Sequence, residues 1–420
     1  MKKAKMVEII GRDITKLILE DFEDIEAVFI NGARQTGKST FAEAFGKHYK
    51  NVVYISFDDI TFRSAEINAP GSTFDGLEEG LVILDEVQLV PDSFLALKAK
   101  IDAVRRKKQR LKFLLTGSAD IMLLPRLADA LVGRMYVRTM YPFSASEILK
   151  TGGNFVEELF KGPPETGREF SKPAVSKIVA RATFPRLSLD VKNKQQWCQN
   201  YITALLERDV KNFSEVDRIE IFPQMLSILA NRTGGLINDA GIALAVKASQ
   251  PTVKRYRTLL NGVFLTFLLP PWCKDLEKRF VKSPKVYFTD TLLLCHILGF
   301  SPEEIETRRP DLYGFILENF VVSELKKQLV LMNAGARLYH FRTSDQKEID
   351  FLVEARDGGL LAVEVKASTV VLPGDFRHIR FLADKLPEKF IRGVVLYRGE
   401  KIVRFDANLF AIPLSALWEM

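Results

Sequence analysis

The run Gly32-Ala33-Arg34-Gln35-Thr36-Gly37-Lys38-Ser39 has G-x-x-x-x-G-K-[ST] spacing, and it joins a short apolar run, Ala27-Val28-Phe29-Ile30, to an amphipathic one, Ser39 to Phe45. A strand that turns through glycines into a helix curls backbone N–H groups at the helix's positive end, where phosphate oxygens bind. The expected contacts are Gly32, Arg34, Gln35, Thr36, Gly37, Lys38, Ser39 and Thr40, with Lys38 reaching the β- and γ-phosphates of ATP and the Ser39 hydroxyl ligating Mg²⁺. Mg·ATP also needs a carboxylate from a second strand. Leu81-Val82-Ile83-Leu84-Asp85-Glu86 provides two: Asp85 to hold Mg²⁺ through its water shell, and Glu86 to polarise the attacking water.

Further apolar runs alternate with helical patterns. Asn51 to Phe57 reads as a strand, Ser93 to Arg106 as a helix, and Leu111 to Leu115 as a strand ending in Thr116-Gly117-Ser118. That alternation means a parallel sheet with its ligand at the carboxyl ends, so Ser118 falls in the nucleotide crevice and can sense the γ-phosphate. Beyond it lie Arg126 and Arg134; Arg134 is the favoured arginine finger, directed at a neighbouring subunit's γ-phosphate. Ahead of this region, residues 1–26 read as a helix with Ile14, Leu17, Ile18 and Phe22 at helical spacing. Thr151 to Lys172, with Gly152-Gly153 and Gly162-Pro163-Pro164, reads as a loop or linker.

Length bounds the rest: 420 residues exceed what one hydrophobic core usually serves, so two or three domains are expected. A net charge of +7 permits a polyanionic partner without demanding one. Cys198, Cys273 and Cys295 are too few and too scattered for a disulfide framework, which indicates a reducing compartment. The lysines at the N-terminus have no uninterrupted apolar segment behind them. The longest apolar runs are about half of the ~20 residues a membrane span needs. The expectation is a cytoplasmic protein with no membrane partner.

From Phe222 the pattern changes to short helices. Met225 to Ala230, Asp239 to Ala248 and a third helix opened by Ser249 and Pro251 resemble a helix-turn-helix whose last helix presents Thr252, Lys254, Arg255 and Arg257 to DNA. Between Lys247 and Lys285 there are nine lysines and arginines against two acids, a local footprint for phosphate backbone. Ser283 to Asp290 reads as the strand that closes this module.

The last segment carries a second chemistry. After a helix from Leu312 to Gln328, bearing Glu318 and Glu324, two alternating runs, Glu348 to Val353 and Leu360 to Lys366, flank Asp357-Gly358, a hairpin signal. A two-residue turn there pairs Arg356 with Gly359 and sets Asp350 opposite Val365, beside Glu364 and Lys366, with a register one residue away as the alternative. Asp350 and Glu364 can then hold Mg²⁺ against a scissile phosphate while Lys366 positions or deprotonates water, and Glu318 can add a ligand.

Together Gly32 to Ser39, Leu84 to Gln88, Leu115 to Ser118, Gln250 to Tyr256, Ser283 to Asp290 and Glu364-Val365-Lys366 resemble the bacterial and archaeal AAA+ ATPases that carry a winged-helix segment and a C-terminal restriction-endonuclease-like domain of the PD-(D/E)xK type. The resemblance implies an α/β chain in four parts. These are an AAA+ P-loop parallel-sheet core (1–145), a helical lid or linker (146–215), a winged helix-turn-helix (216–295) and a nuclease-like α/β domain (296–420). It further implies ATP hydrolysis between subunits of a hexameric ring. It also implies a metal-dependent endonuclease acting on branched DNA, such as four-way Holliday junctions. The alternative keeps the ATPase and makes the last domain a non-cutting DNA- or protein-binding module. One departure is Ala182-Thr183-Phe184-Pro185-Arg186, which stands where such relatives have a Gly-Gly-[FY]-Pro-Glu-like element.

Overall fold

Ala27-Val28-Phe29-Ile30 is apolar on both alternating faces, a pattern that suits only a strand buried on both sides. In a computed structural model, which describes residues 10–120, 123–172, 174–210, 218–273, 283–332 and 335–420, this run lies inside strand β1 (Ala27–Asn31). It sits among β2 (Val52–Ser56), β3 (Glu79–Asp85), β4 (Arg110–Gly117) and β5 (Met135–Thr139) in a parallel sheet of order β2-β3-β4-β1-β5. Phe29, Val82, Leu84 and Phe113 pack on one face with the helix Phe94–Lys107, and Val28, Ile30, Ile83 and Leu114 on the other with the helices Ile14–Asp24 and Lys38–Gly46. Of the helix expected over residues 1–26, the first nine residues lie outside those described.

The next stretch is helical where a loop was expected. Asn154 accepts the N–H of Glu157 at 3.1 Å and so caps the helix Phe155–Lys161, whose Phe155, Val156 and Leu159 are buried. A cap followed by apolar residues at helical spacing outweighs the flanking glycines. Short helices Val175–Val179 and Pro185–Leu189 and the longer Lys194–Ala204 follow.

Helices Phe222–Asn231, Asp239–Ala245 and Gln250–Gly262 then lead into an antiparallel pair, β6 (Thr266–Leu269) and β7 (Lys285–Phe288). Ser249 caps the third helix through the N–H of Thr252 at 3.2 Å. Of the expected basic footprint, Lys274, Lys278, Arg279 and Lys282 lie outside the described residues.

The C-terminal part is a long helix, Pro310–Leu331, and a six-stranded sheet of order β12-β13-β11-β10-β9-β8. Its strands are β8 (Arg337–Arg342), β9 (Glu348–Glu354), β10 (Leu360–Val365), β11 (Phe390–Tyr397), β12 (Val403–Asp406) and β13 (Leu409–Pro413). β8, β9 and β10 run antiparallel in sequence; the helix Arg377–Lys385 then carries the chain back so that β11 lies parallel to β10. Helix Pro310–Leu331 covers one face and helix Arg377–Lys385 the other.

The hairpin register differs from the expected one by a residue. Leu360 pairs with Glu354 and Val363 with Phe351, which sets Asp350 level with Glu364 rather than Val365. The turn has three residues, Arg356-Asp357-Gly358, closed by Ala355 and Gly359, because Gly358 takes the left-handed conformation (φ +89°) that a three-residue hairpin loop requires.

Asn319 locks the middle module to the last one: its amide accepts the Phe288 N–H at 2.8 Å and donates to the Phe288 carbonyl at 3.1 Å, all buried. Asn319→Leu keeps roughly the volume but leaves the Phe288 N–H without its partner and its carbonyl with only the Ser323 hydroxyl at 3.3 Å, so urea unfolding should show a loss of about 1–3 kcal/mol.

Candidate nucleotide site and carboxylate cluster

β1 ends at Asn31 and the loop that follows bends into the helix Lys38–Gly46, with Gly37 left-handed at φ +90° and Gln35 at φ +63°. The Lys38 ammonium donates to the carbonyls of Gly32 and Ala33 at 2.9 and 2.8 Å, and Thr36 closes the loop through the Ala33 carbonyl at 3.0 Å. Asp85, at the end of β3, accepts the hydroxyls of Ser39 at 3.1 Å, Tyr54 at 2.9 Å and Thr116. Burial, and then the Asp85 charge, push the Tyr54 phenol well above its ordinary range, so it stays a donor. A hydroxyl and a carboxylate side by side at the mouth of the loop are hard oxygen donors that fit Mg²⁺. Glu86 adopts a left-handed backbone (φ +58°) and is held by the Ser118 hydroxyl at 2.7 and 3.0 Å and by Gln88.

Two cavities open beside the loop. One, of about 470 Å³, is lined by Arg34, Lys38, Ser39, Glu86, Arg186 and Arg208 and suits the phosphates. The other, of about 260 Å³, is more apolar, with Ile10, Phe41, Phe45 and Phe143 in its wall. Gly37, Thr40, Pro185 and Arg186 border both. Motif spacing missed Arg186 and Arg208, since both come from helices packed back onto the loop. Arg12 was missed too: it donates to the Thr36 carbonyl at 2.9 Å, to Glu147 at 2.8 Å and to the Tyr141 carbonyl at 2.6 Å.

Arg134 is not at this site. It precedes β5, level with the start of β1 and so at the opposite end of the sheet from the loop, and it forks onto Asp102 at 2.7 and 3.1 Å. Arg126 is paired with Asp92 at 2.7 Å.

Of the expected DNA contacts, Lys254 and Arg255 are exposed and Thr252 is half-buried. Arg257 is a correction. Its guanidinium is buried and forks onto Asp239 at 2.9 and 2.8 Å, because the third helix turns that position toward the second.

In the C-terminal sheet, Asp350 accepts the Val365 N–H at 2.8 Å and Lys366 pairs with Glu364 at 2.9 Å. Glu318 faces the same cluster from the helix Pro310–Leu331, but its Oε1 already accepts Tyr287 at 2.5 Å and Lys285 at 3.2 Å. Lys285 also pairs with Glu348 at 2.7 Å and is 2% exposed, so it is no part of a basic surface. Burial, reinforced by the Asp350 charge, pushes Glu364 up to about 8 and Glu318 up to about 7, and burial raises Asp350 as well. Among the described residues no group of three or more His, Cys, Asp or Glu is arranged to hold a metal ion. Asp350 and Glu364 lie side by side, with Glu364 paired to Lys366, while the Oε1 of Glu318 is taken up by Tyr287 and Lys285. Lys285, Tyr287 and Glu348 were overlooked because the strand carrying the first two belongs to another module.

Residues 24–149 match the family model described as AAA domain. This segment is an AAA-type P-loop domain. Its five-stranded parallel sheet and loop agree with that match, which supports ATP binding and hydrolysis. Residues 173–304 match a domain of unknown function, DUF8612, and residues 313–417 another, DUF4143. Uncharacterized protein Mb2031c of Mycobacterium bovis and Uncharacterized protein Rv2008c of Mycobacterium tuberculosis are each 26% identical over 408 residues, covering 97% of this chain and 84% of theirs. Similar solved structures include the Walker-type ATPase PABY2304 of Pyrococcus abyssi, at 14% identity, 69% of this chain, 96% of that chain and TM-score 0.42. A variant of Thermotoga maritima RuvB is similar at 15% identity, 62% and 90% coverage and TM-score 0.32. Among the described residues no helix is long and apolar enough to cross a membrane.

Carboxylates raised above their unfolded values bind more protons folded than unfolded, so the stability of the protein should fall as pH rises from about 4.5 through about 8. Glu364→Gln removes one such group, and a series of thermal melts across this window should show a shallower slope than wild type.

Proposed function

We propose that this chain is an ATP-driven DNA motor joined to a metal-dependent endonuclease, acting on branched DNA as a hexameric ring. The observation that carries the motor is the Glu86 carboxylate, gripped by Ser118 beside the Lys38 loop. In hydrolysis Lys38 would leave the loop carbonyls for the β- and γ-phosphates, Glu86 would orient the attacking water, and Ser118 would hold Glu86 in place as the phosphate leaves. Arg186 and Arg208, bordering the phosphate cavity, would offset the developing charge. Ser39 and Asp85 would hold Mg²⁺, which would supply charge neutralisation at the phosphates. For Arg134 to serve a neighbour's nucleotide, its fork on Asp102 would have to open.

The nuclease reading is supported by the order of helix, three antiparallel strands, helix and parallel strand around Glu318, Asp350, Glu364 and Lys366, the order of a restriction-endonuclease-like core. Asp350 and Glu364 would hold a divalent ion, which would supply charge neutralisation at the scissile phosphate. Lys366 would position water and stabilise the charged transition state. DNA would reach the chain through Lys254 and Arg255 on the third helix of a winged-helix module, with β6 and β7 as its wing. A second reading, a non-cutting binding module, is favoured by Lys285, whose ammonium already engages Glu318 and Glu348.

Lys38→Ala should lower ATP turnover about 10²-fold or more, and Glu86→Gln should bind ATP and retain it. Wild-type turnover in Lys38→Ala removes the motor. Asp350→Asn, Glu364→Gln and Lys366→Ala should each abolish Mg²⁺-dependent strand cleavage while leaving ATPase activity near wild type. If wild-type protein hydrolyses ATP and binds four-way junctions yet cuts no strand in Mg²⁺ or Mn²⁺, the second reading takes over.

Charge reversal at Lys254 and Arg255 together should reduce the slope of log affinity against log salt by about 2, measured by fluorescence anisotropy. Arg257→Ala should act differently, losing about 3 kcal/mol of stability by stranding Asp239.

A further inference from the structure

We infer that Arg12 is a positioning residue of the nucleotide site: by pinning the Thr36 carbonyl it turns the Thr36–Gly37 peptide so that the Gly37 N–H faces the phosphates. This rests on the ATPase reading above and goes beyond its motif, since Arg12 stands well ahead of the loop in sequence.

A trans peptide is planar, so its carbonyl and its N–H point in opposite directions, and fixing one fixes the other. The Arg12 Nη1 donates to the Thr36 carbonyl at 2.9 Å. Arg12 and Thr36 both line the apolar cavity of about 260 Å³, and neither lines the one of about 470 Å³ beside Lys38 and Glu86, which Gly37 borders. The carbonyl is thus on the far side of the loop from the phosphates, and the N–H of the same peptide is on the near side. That N–H has no acceptor among the described residues. Gly37, at φ +90°, immediately precedes the helix Lys38–Gly46, where unpaired backbone N–H groups collect at the positive end.

Arg12 can hold the peptide because its other contacts are anchored. Its Nε donates to Glu147 at 2.8 Å and its Nη2 to the Tyr141 carbonyl at 2.6 Å, and the guanidinium lies 5.0 Å from the centroid of the Phe143 ring. These partners belong to one braced segment: Glu147 accepts the Ser144 N–H at 3.0 Å, the Phe143 N–H donates to the Thr183 carbonyl at 3.1 Å, and Lys327 donates to the Phe143 carbonyl at 2.9 Å. The Arg12 side chain is 8% exposed, so little water competes for it. Three acceptors on two segments suit the fixed fork of a guanidinium, and an ammonium on a flexible stem cannot serve all three. The loop's own bonds leave this peptide alone: the Lys38 ammonium holds the Gly32 and Ala33 carbonyls, and the Thr36 hydroxyl holds the Ala33 carbonyl. When Lys38 moves to the phosphates, Arg12 still holds the Thr36–Gly37 peptide.

The test uses the full chain and two competitors of ATP hydrolysis: pyrophosphate, which makes only the phosphate contacts, and adenosine, which makes none of them. Arg12→Ala should raise the KM for ATP and the inhibition constant of pyrophosphate together, each about 10-fold or more for the lost contacts, while kcat and the inhibition constant of adenosine stay near wild type. Arg12→Lys keeps the charge but cannot fork, and should lose as much. Ethylguanidinium, the group missing from Arg12→Ala, should restore inhibition by pyrophosphate, and ethylammonium should not. An Arg12→Lys chain with wild-type constants overturns the inference. So does a loss confined to adenosine, or one that falls equally on adenosine and pyrophosphate, the mark of general damage. Should circular dichroism show Arg12→Ala unfolded, Arg12→Lys decides by the same constants. A wild-type chain that hydrolyses no ATP overturns the ATPase reading and the inference with it.

Discussion

The helix Pro310–Leu331 is buried along most of its length, and its polar side chains hold the three parts of the molecule together. Toward its start, Glu318 enters the carboxylate cluster and Asn319 pins β7. Two turns later Glu324 accepts the Ala145 N–H at 2.9 Å and Lys327 donates to the Phe143 carbonyl at 2.9 Å. Gln328 accepts the Val156 N–H, and its own carbonyl accepts the Asn154 side chain. Each is a buried polar group that is expensive to leave unpaired, so the ATPase segment and the C-terminal sheet cannot part along this helix without exposing several at once.

That joint reaches the phosphate loop. Arg12 ties the Thr36 carbonyl to Glu147 and to the Tyr141 carbonyl, and Ala145, within the same turn, is held by Glu324. A continuous set of charged hydrogen bonds therefore runs from the loop to the helix that bears Glu318. Asp13 lies beside it, raised to about 6 chiefly by burial and then by Glu147, which marks the region as crowded with negative charge. The two sites are remote in sequence and are linked through this helix.

The nucleotide site was legible because its chemistry is local. A glycine turn between strand and helix, and a carboxylate pair ending a buried strand, are short-range patterns, and the parallel sheet follows from their alternation. The carboxylate cluster was only partly legible. Asp350, Glu364 and Lys366 come from one hairpin, but its register depended on whether Gly358 would take a left-handed turn, and a three-residue loop moved every pairing by one. Arg257 looked like a DNA contact because its neighbours do; helical phase alone did not reveal that Asp239 lay under it.

The amino-acid sequence by itself determined the strand–loop–helix junction and the Asp85-Glu86 pair that ends a buried strand, since each needs only neighbours within a few positions. Tertiary structure alone decided which charges are available. Packing gave Arg134 to Asp102 and Arg257 to Asp239, brought Arg186 and Arg208 to the nucleotide cavity, and drove Lys285 into a cluster of carboxylates from another module. A charged side chain takes its role from whatever partner burial forces upon it, and in a chain of this length that partner is usually far away in sequence.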